Sequence, residues 1–225
     1  MDWFKKIKLE KKKNELRTLI QQYQEKSKQD GNYYLFTSSY AKKLLNAESA
    51  ESIDFGINLL KTWDNAAQFP YDVGIMLEET IEKGDYVLGI HRTPISSEEI
   101  VDNPILQSIF KEGLINDGDI SSGRIPNKYE NPNNTISPIK HMLHAMIYTK
   151  SSYKDSKGGV LVAFPKEYVT EDLELKEGYE DALYNVTNNG SFIKPEFLMG
   201  YISNDNNKCE FYLNSEINCE HKNSR

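Results

Sequence analysis

Five consecutive apolar residues, Val160-Leu161-Val162-Ala163-Phe164, lie between Gly158-Gly159 and Pro165, and they constrain the fold more than any other stretch. A run of that length bounded by turn residues reads as a central strand covered on both faces. Such a strand needs neighbours, and the chain offers three. Asp85-Tyr86-Val87-Leu88-Gly89-Ile90 is a second apolar run, ending abruptly in His91-Arg92-Thr93-Pro94, where the proline stops the strand. Pro195 to Ile202 reads as a buried strand with a charged entry at Glu196, and Cys209 to Leu213 as an edge strand. His91 therefore stands at the carboxyl end of a buried strand, where it either caps a turn or points into a cleft.

Upstream the pattern is helical. Leu16, Leu19, Ile20 and Tyr23 share one face of a helix over residues 1–28. Tyr33 to Phe36 is a short edge strand, after which Thr37, Ser38 or Ser39 caps a helix running to about Asn46. Ile53, Ile57, Leu60 and Trp63 form the stripe of a further helix that Pro70 closes. Val73, Met76, Leu77, Thr80 and Ile81 mark another, ended by Lys83-Gly84 as a C-terminal cap. Beyond the first strand, Ile105, Leu106 and Ile109 share a helix face that Gly113 terminates. The polar stretch Asn116 to Asn134 is long enough to be functional or mobile. Thr135-Ile136-Ser137-Pro138 is expected to open a helix whose apolar face is Met142, Leu143, Ala145, Met146 and Ile147. The fold class is α+β. A mainly helical region spans residues 1–84, a strand-bearing region 85–213, and a disordered tail 214–225.

Charge narrows the partners. The 225-residue chain carries a net charge of -7, but residues 1–28 hold nine Lys/Arg against four Asp/Glu, and the remainder 18 against 30. An acidic body excludes a long phosphate-binding surface and makes nucleic acid an unfavoured partner, while leaving room for a small nucleotide. At the other extreme, Trp3, Phe4 and Ile7 interleave with Lys5, Lys6, Lys8 and Lys11 to Lys13, a composition suited either to a solvated helix end or to an anionic membrane surface. No apolar run approaches the ~20 residues that cross a bilayer, and the N-terminus lacks a signal-peptide core. The expected location is the cytoplasm, or secretion as an effector by a route without such a signal.

Most catalytic signatures are missing: G-x-S-x-G, G-x-x-x-x-G-K-[ST] and G-x-G-x-x-G do not occur. Cys209 and Cys219 form no C-x-x-C pair, which removes zinc-ribbon and thioredoxin-type chemistry and leaves a tail disulfide open. His141 and His144, three apart on a helix with no third ligand nearby, read as helix-surface residues, and no metal is expected. Glu78-Glu79 and Glu98-Glu99 point apart on helices and read as solvated.

One ordered set remains: a strand ending His91-Arg92-Thr93, the helix Ile105-Leu106-x-x-Ile109-x-x-x-Gly113-Leu114, a loop, Thr135-x-Ser137, an apolar strand, and a late Glu. This order resembles the ADP-ribosyltransferase superfamily, especially its toxin-like bacterial members, over about residues 84–202. The resemblance implies a split β-sheet core that binds NAD as substrate, cleaves the nicotinamide–ribose bond and transfers ADP-ribose, here to a protein acceptor. It implies that His91 holds the ribose hydroxyls and that Thr93 lies by the nicotinamide amide. Thr135 and Ser137 match the middle Ser-Thr-Ser element, and Tyr148 or Tyr129 supplies the stacking aromatic. Arg92 stands where the family has glycine, and its charge favours a phosphate. The catalytic carboxylate is Glu196, or else Glu180 or Glu177 if the Pro195 strand is purely structural. The alternative keeps the fold without the chemistry, as a binding module or pseudoenzyme acting through protein contacts.

Overall fold

The computed structural model describes residues 3–115, 135–139, 141–149, 156–165, 169–170, 184–186, 192–205 and 208–217. The helical beginning follows the apolar spacing. Helix α1 (Trp3–Asp30) buries Leu9, Leu16 and Ile20 on one face. Gly31, with φ 71°, reverses the chain into strand β1 (Asn32–Tyr33) and a 3-10 turn, Leu35–Thr37. Of the three candidate caps, Ser38 is the one used: its side chain accepts from the Ala41 N–H at the start of α2 (Ser39–Leu44). Helix α3 (Ala50–Asp64) is capped by Ser49 and buries Ile53, Ile57 and Leu60. Ala67–Pro70, expected only as a helix stop, forms strand β2. Helix α4 (Tyr71–Lys83) ends at Gly84, whose φ of 68° is the left-handed conformation that glycine adopts without strain.

The strand-bearing part begins with β3 (Tyr86–Thr93), followed by α5 (Pro104–Glu112). The Asn103 side chain caps α5 by accepting from the Ile105 and Leu106 N–H groups. Strands β4 (Leu114–Ile115) and β5 (Thr135–Pro138), helix α6 (Met142–Thr149) and strand β6 (Gly158–Pro165) come next. They are followed by β7 (Val169–Thr170), β8 (Tyr184–Val186), β9 (Phe192–Ile193), β10 (Leu198–Asp205), β11 (Lys208–Leu213) and α7 (Asn214–Ile217). The main sheet has the order β1-β2-β11-β10-β6-β3-β5-β8-β7, and β4 pairs with β9 apart from it. Among the described residues all pairings are antiparallel except β2 with β11.

As its composition requires, β6 is central, flanked by β10 and β3, with Leu161 opposite both Gly200 and Ile90. Alternation divides the side chains between two faces. Leu88, Ile90, Leu161, Ile202 and Phe211 pack with Leu16, Ile53, Leu60, Leu77 and Met146 of the helices. Val160, Val162, Leu198 and Tyr201 pack on the other face with Ile95, Leu106, Phe110 and Ile217. The expected division at residue 84 is bridged twice: β2 joins β11 in the sheet, and one core cluster draws from both sides of that boundary.

Several expectations are corrected. Thr135–Pro138 is a strand beside β3, and the helix starts only at Met142. Two of its N-terminal N–H groups are met by side chains other than a Ser/Thr cap. Met142 N–H donates to Glu78 Oε1 at 3.2 Å and His144 N–H to His141 Nδ1 at 3.2 Å. His141 is therefore a buried capping residue, its ring tilted against those of Tyr40 and His144 at centroid distances of 4.6 and 3.7 Å, and not a surface histidine. The 209–213 strand is interior, between β10 and β2. Pro195–Phe197 is a 3-10 turn ahead of β10. Asn214–Ile217, expected in a disordered tail, is a helical turn: Asn214 Nδ2 donates to Leu198 O at 3.0 Å and Ile217 is buried.

Gly74 leaves room for the Tyr33 ring, since a Cβ there would meet its Cγ at 2.1 Å. Gly74→Ala is expected to lower stability by about 3 kcal/mol in urea unfolding through overpacking. The same substitution in a Tyr33→Leu background is expected to cost clearly less; equal costs in both would show that the ring is not the obstacle.

Candidate functional site

At the end of β3 the register decides which candidates meet. His91 is half-buried opposite Val160, and Thr93 opposite Gly158. Alternation puts both on the face that carries Val160 and Tyr201, with half-buried Arg92 on the other face. Thr93 is drawn into the core. Tyr201 Oη donates to the Ile95 carbonyl at 2.8 Å, which leaves the Thr93 hydroxyl to donate to Tyr201 Oη at 2.6 Å. Thr93 Oγ1 also accepts weakly from the Ile95 N–H at 3.4 Å. Burial pushes the Tyr201 phenol well above its ordinary value, keeping it a neutral donor. This closed network fixes the turn after β3, and it occupies the hydroxyl expected beside nicotinamide.

Strand β5 runs directly along β3. Ser137 lies opposite Ile90 and Pro138 opposite Gly89, and the Ile139 N–H continues the pairing by donating to Leu88 O at 2.8 Å. Thr135 is at the far end of the same strand, paired with Asn185 of β8. The Thr-x-Ser element and the His91 strand are thus neighbours in one sheet. Tyr148 lies on α6, which packs against β3 and β10.

Glu196 is not brought to His91. Leu198 lies opposite Val162, which lies opposite Gly89, so Glu196 sits beyond Gly89 toward the start of β3 and His91 toward its end. Two inter-strand spacings and more than two residues of rise make a backbone separation of roughly 12 Å or more. The Glu196 carboxylate is exposed and pairs with Lys194 Nζ at 3.8 Å. Glu180, Glu177 and Tyr129 lie outside the described residues. Two carboxylates beside the Thr93–Tyr201 network are engaged elsewhere. Glu99 accepts from the Ser96 hydroxyl at 3.0 Å, and Glu210 accepts from Tyr212 Oη at 2.8 Å.

The buried acids lie in the helical part, where no chemistry was expected. Glu78, read from its neighbour Glu79 as solvated, is 5% exposed. Its oxygens accept from Tyr33 Oη at 3.1 Å, Ser39 N–H at 3.1 Å and Met142 N–H at 3.2 Å. The available signal was its place four residues after Gly74 and one after Leu77, on the stripe that α4 buries. Asp64, at the end of α3, receives the Leu35 and Phe36 N–H groups of the 3-10 turn. It lines a cavity of about 620 Å³ together with Tyr23, Lys26, Tyr34 and Gln68. Burial raises its carboxyl to about 7 against the opposing pull of those two donors and Lys26. A second cavity, about 380 Å³, is lined by Ser39, Lys42, Lys43 and Glu82. Neither cavity is lined by His91, Thr93 or Glu196. Among the described residues no group of three or more His, Cys, Asp or Glu side chains is arranged to hold a metal ion. Cys209 is buried on β11, and Cys219 lies outside the described residues.

No protein-family model, curated protein or solved structure matches this chain.

The raised Asp64 carboxyl has a consequence for stability. Around neutral pH the folded chain retains a proton that the unfolded chain, titrating near pH 4, has released. Asp64's contribution is therefore full below about pH 4 and is lost as pH rises through about 7. Asp64→Asn is expected to flatten the stability profile across that window by a few kcal/mol, measured by urea unfolding at a series of pH values. Parallel profiles for variant and wild type would refute the assignment.

Proposed function

We propose that the protein is ADP-ribosyltransferase-like, holding NAD at the carboxyl end of β3 and passing ADP-ribose to a protein acceptor, in the manner of a bacterial toxin or effector. The observation that supports this reading is the adjacency of β5 to β3, which sets the Thr135–Pro138 strand beside the strand that carries His91. In this reading the His91 imidazole, which in its neutral form offers one donor and one acceptor, holds the ribose hydroxyls. Arg92, turned to the opposite face of β3, takes no part in this reading. The glycosidic C–N bond breaks with its electron pair leaving on nicotinamide. The acceptor's nucleophile then bonds to the ribose carbon and gives up its proton. A carboxylate that steadies the positive charge growing on the ribose accelerates the step. The acidic body favours a protein acceptor over nucleic acid.

A second reading, a catalytically inactive binding module of the same core, is favoured by two observations. The Thr93 hydroxyl is held in the core by Tyr201, and Glu196 is exposed and paired with Lys194.

Nicotinamide release from NAD by the purified protein, read by chromatography beside an NAD-dependent thermal shift, separates the two. The enzymatic reading expects release that falls on the order of a hundredfold in Glu180→Gln, as for loss of one transition-state stabiliser. It further expects His91→Ala to weaken the NAD-induced shift and Glu196→Gln to leave release unchanged. A thermal shift with no release supports the binding module. Neither release nor shift would sink the NAD assignment altogether.

A further inference from the structure

The first turns of α1 carry an apolar cluster that the fold does not use. Trp3, Phe4 and Ile7 are 65%, 72% and 47% exposed, and the rings of Trp3 and Phe4 meet edge to face at 5.0 Å. Leu9 is the first buried residue of the helix, and with Leu16 and Ile20 it marks the face that packs on the core. Ile7 and Leu9 are two residues apart, about 200° around the helix, so the exposed cluster faces away from the body. From Trp3 to Leu9 the axis advances about 9 Å, so the cluster is carried at the end of the helix ahead of its first core contact.

Charge surrounds the cluster. Lys8 is tied to Glu51 at 2.6 Å, and Lys12 to Glu15 at 2.8 Å and Asp54 at 2.7 Å. Lys5, Lys6 and Lys11 are exposed around Trp3, Phe4 and Ile7, with Lys11 one turn beyond Ile7 on the same side. An apolar wedge collared by ammonium groups is complementary to one kind of surface, acyl chains beneath anionic headgroups. The acidic remainder of the chain would be repelled from that surface, which leaves the tip of α1 as the point of contact. A second copy of the chain fits less well. Two partly uncovered aromatics of about 150–250 Å² each and one isoleucine offer roughly 400 Å², half of the about 800 Å² per partner that a stable interface buries. The lysine collars of two copies would also repel.

We infer that the amino-terminal turns of α1 are a docking element for anionic phospholipid bilayers, with Trp3, Phe4 and Ile7 entering the headgroup–acyl boundary and Lys5, Lys6 and Lys11 meeting lipid phosphates. The inference is independent of the NAD reading.

Co-sedimentation of the full chain with vesicles tests it, using phosphatidylcholine alone and phosphatidylcholine mixed with phosphatidylglycerol, at low and high salt. Pelleting is expected with the mixed vesicles only, and it should be weakened by salt. A Lys5→Glu, Lys6→Glu, Lys11→Glu variant is expected to lower the partition coefficient roughly a hundredfold. Trp3→Ser, Phe4→Ser, Ile7→Ser is expected to abolish pelleting. Both variants should keep wild-type circular dichroism and melting temperature, because none of the altered side chains is buried. Pelleting with neither vesicle, or pelleting that both variants retain, overturns the inference. So does concentration-dependent self-association, lost in the serine variant, without vesicle binding; that outcome would assign the cluster to a second copy.

Discussion

The chain from Tyr33 to Ser39 runs from a strand through a 3-10 turn into a helix while burying Tyr33, Leu35 and Phe36, and it is held by two carboxylates from other elements. Asp64 of α3 receives the Leu35 and Phe36 N–H groups, and Glu78 of α4 receives the Tyr33 hydroxyl and the Ser39 N–H. Left unmet in the interior, such donors would each cost about 1–3 kcal/mol. Glu78 does more than close this segment. Its Oε1 also takes the Met142 N–H and so fixes where α6 begins, and with it the connection that brings β5 alongside β3. The strand beside His91 is thus positioned in part by a glutamate of the helical region.

Much of the framework was legible because its signals are local. The apolar run at Val160, the stripes of α3 and α4, and the stops at Gly84 and Gly113 all follow from spacing and backbone conformation within a few residues. What escaped the sequence depends on distant partners. Thr135-Ile136-Ser137-Pro138 has the composition of a helix start, and it becomes a strand because β3, more than forty residues earlier, offers an open edge. Glu78 looked solvated because its donors come from residues 33, 39 and 142. His141 looked exposed because the helix it caps was expected to start earlier. The parallel pairing of β2 with β11 joins residues 67 and 209 and has no local signature at all.

At the candidate site the same distinction holds. The strand ending in His91 is where its residues predict, yet the roles that the resemblance implies for Thr93 and Glu196 depend on which side chains the sheet register brings near them. Register gives Thr93 to Tyr201, across β6, and Gly158 keeps that contact open: a Cβ there would meet Tyr201 Oη at 2.4 Å. Register also sets Glu196 at the opposite end of the central strands from His91. A one-residue slip would exchange the two faces of β3, so the hydrophobic demand for Leu88 and Ile90 in the core is what presents His91 and Thr93 together and turns Arg92 away.

Helix α1 shows the reverse case, a segment whose sequence exceeds what the fold needs. Its 28 residues extend about 42 Å, but full burial is confined to Leu9, Leu16, Ile20 and Ser27, with Leu19 and Tyr23 packed partly buried against the same core. The ion pairs of Lys8 and Lys12 with α3 are exposed, and pairs of that kind contribute little stability. The helix is therefore anchored by a thin apolar seam, and its first turns must be stable without it. Lysine and glutamate, good helix formers in solvent, meet that need. Trp3 and Phe4 do not: large aromatics at exposed helix positions gain nothing from propensity and leave apolar area in water. A helix end built only to be solvated would carry more of its lysines and none of its rings.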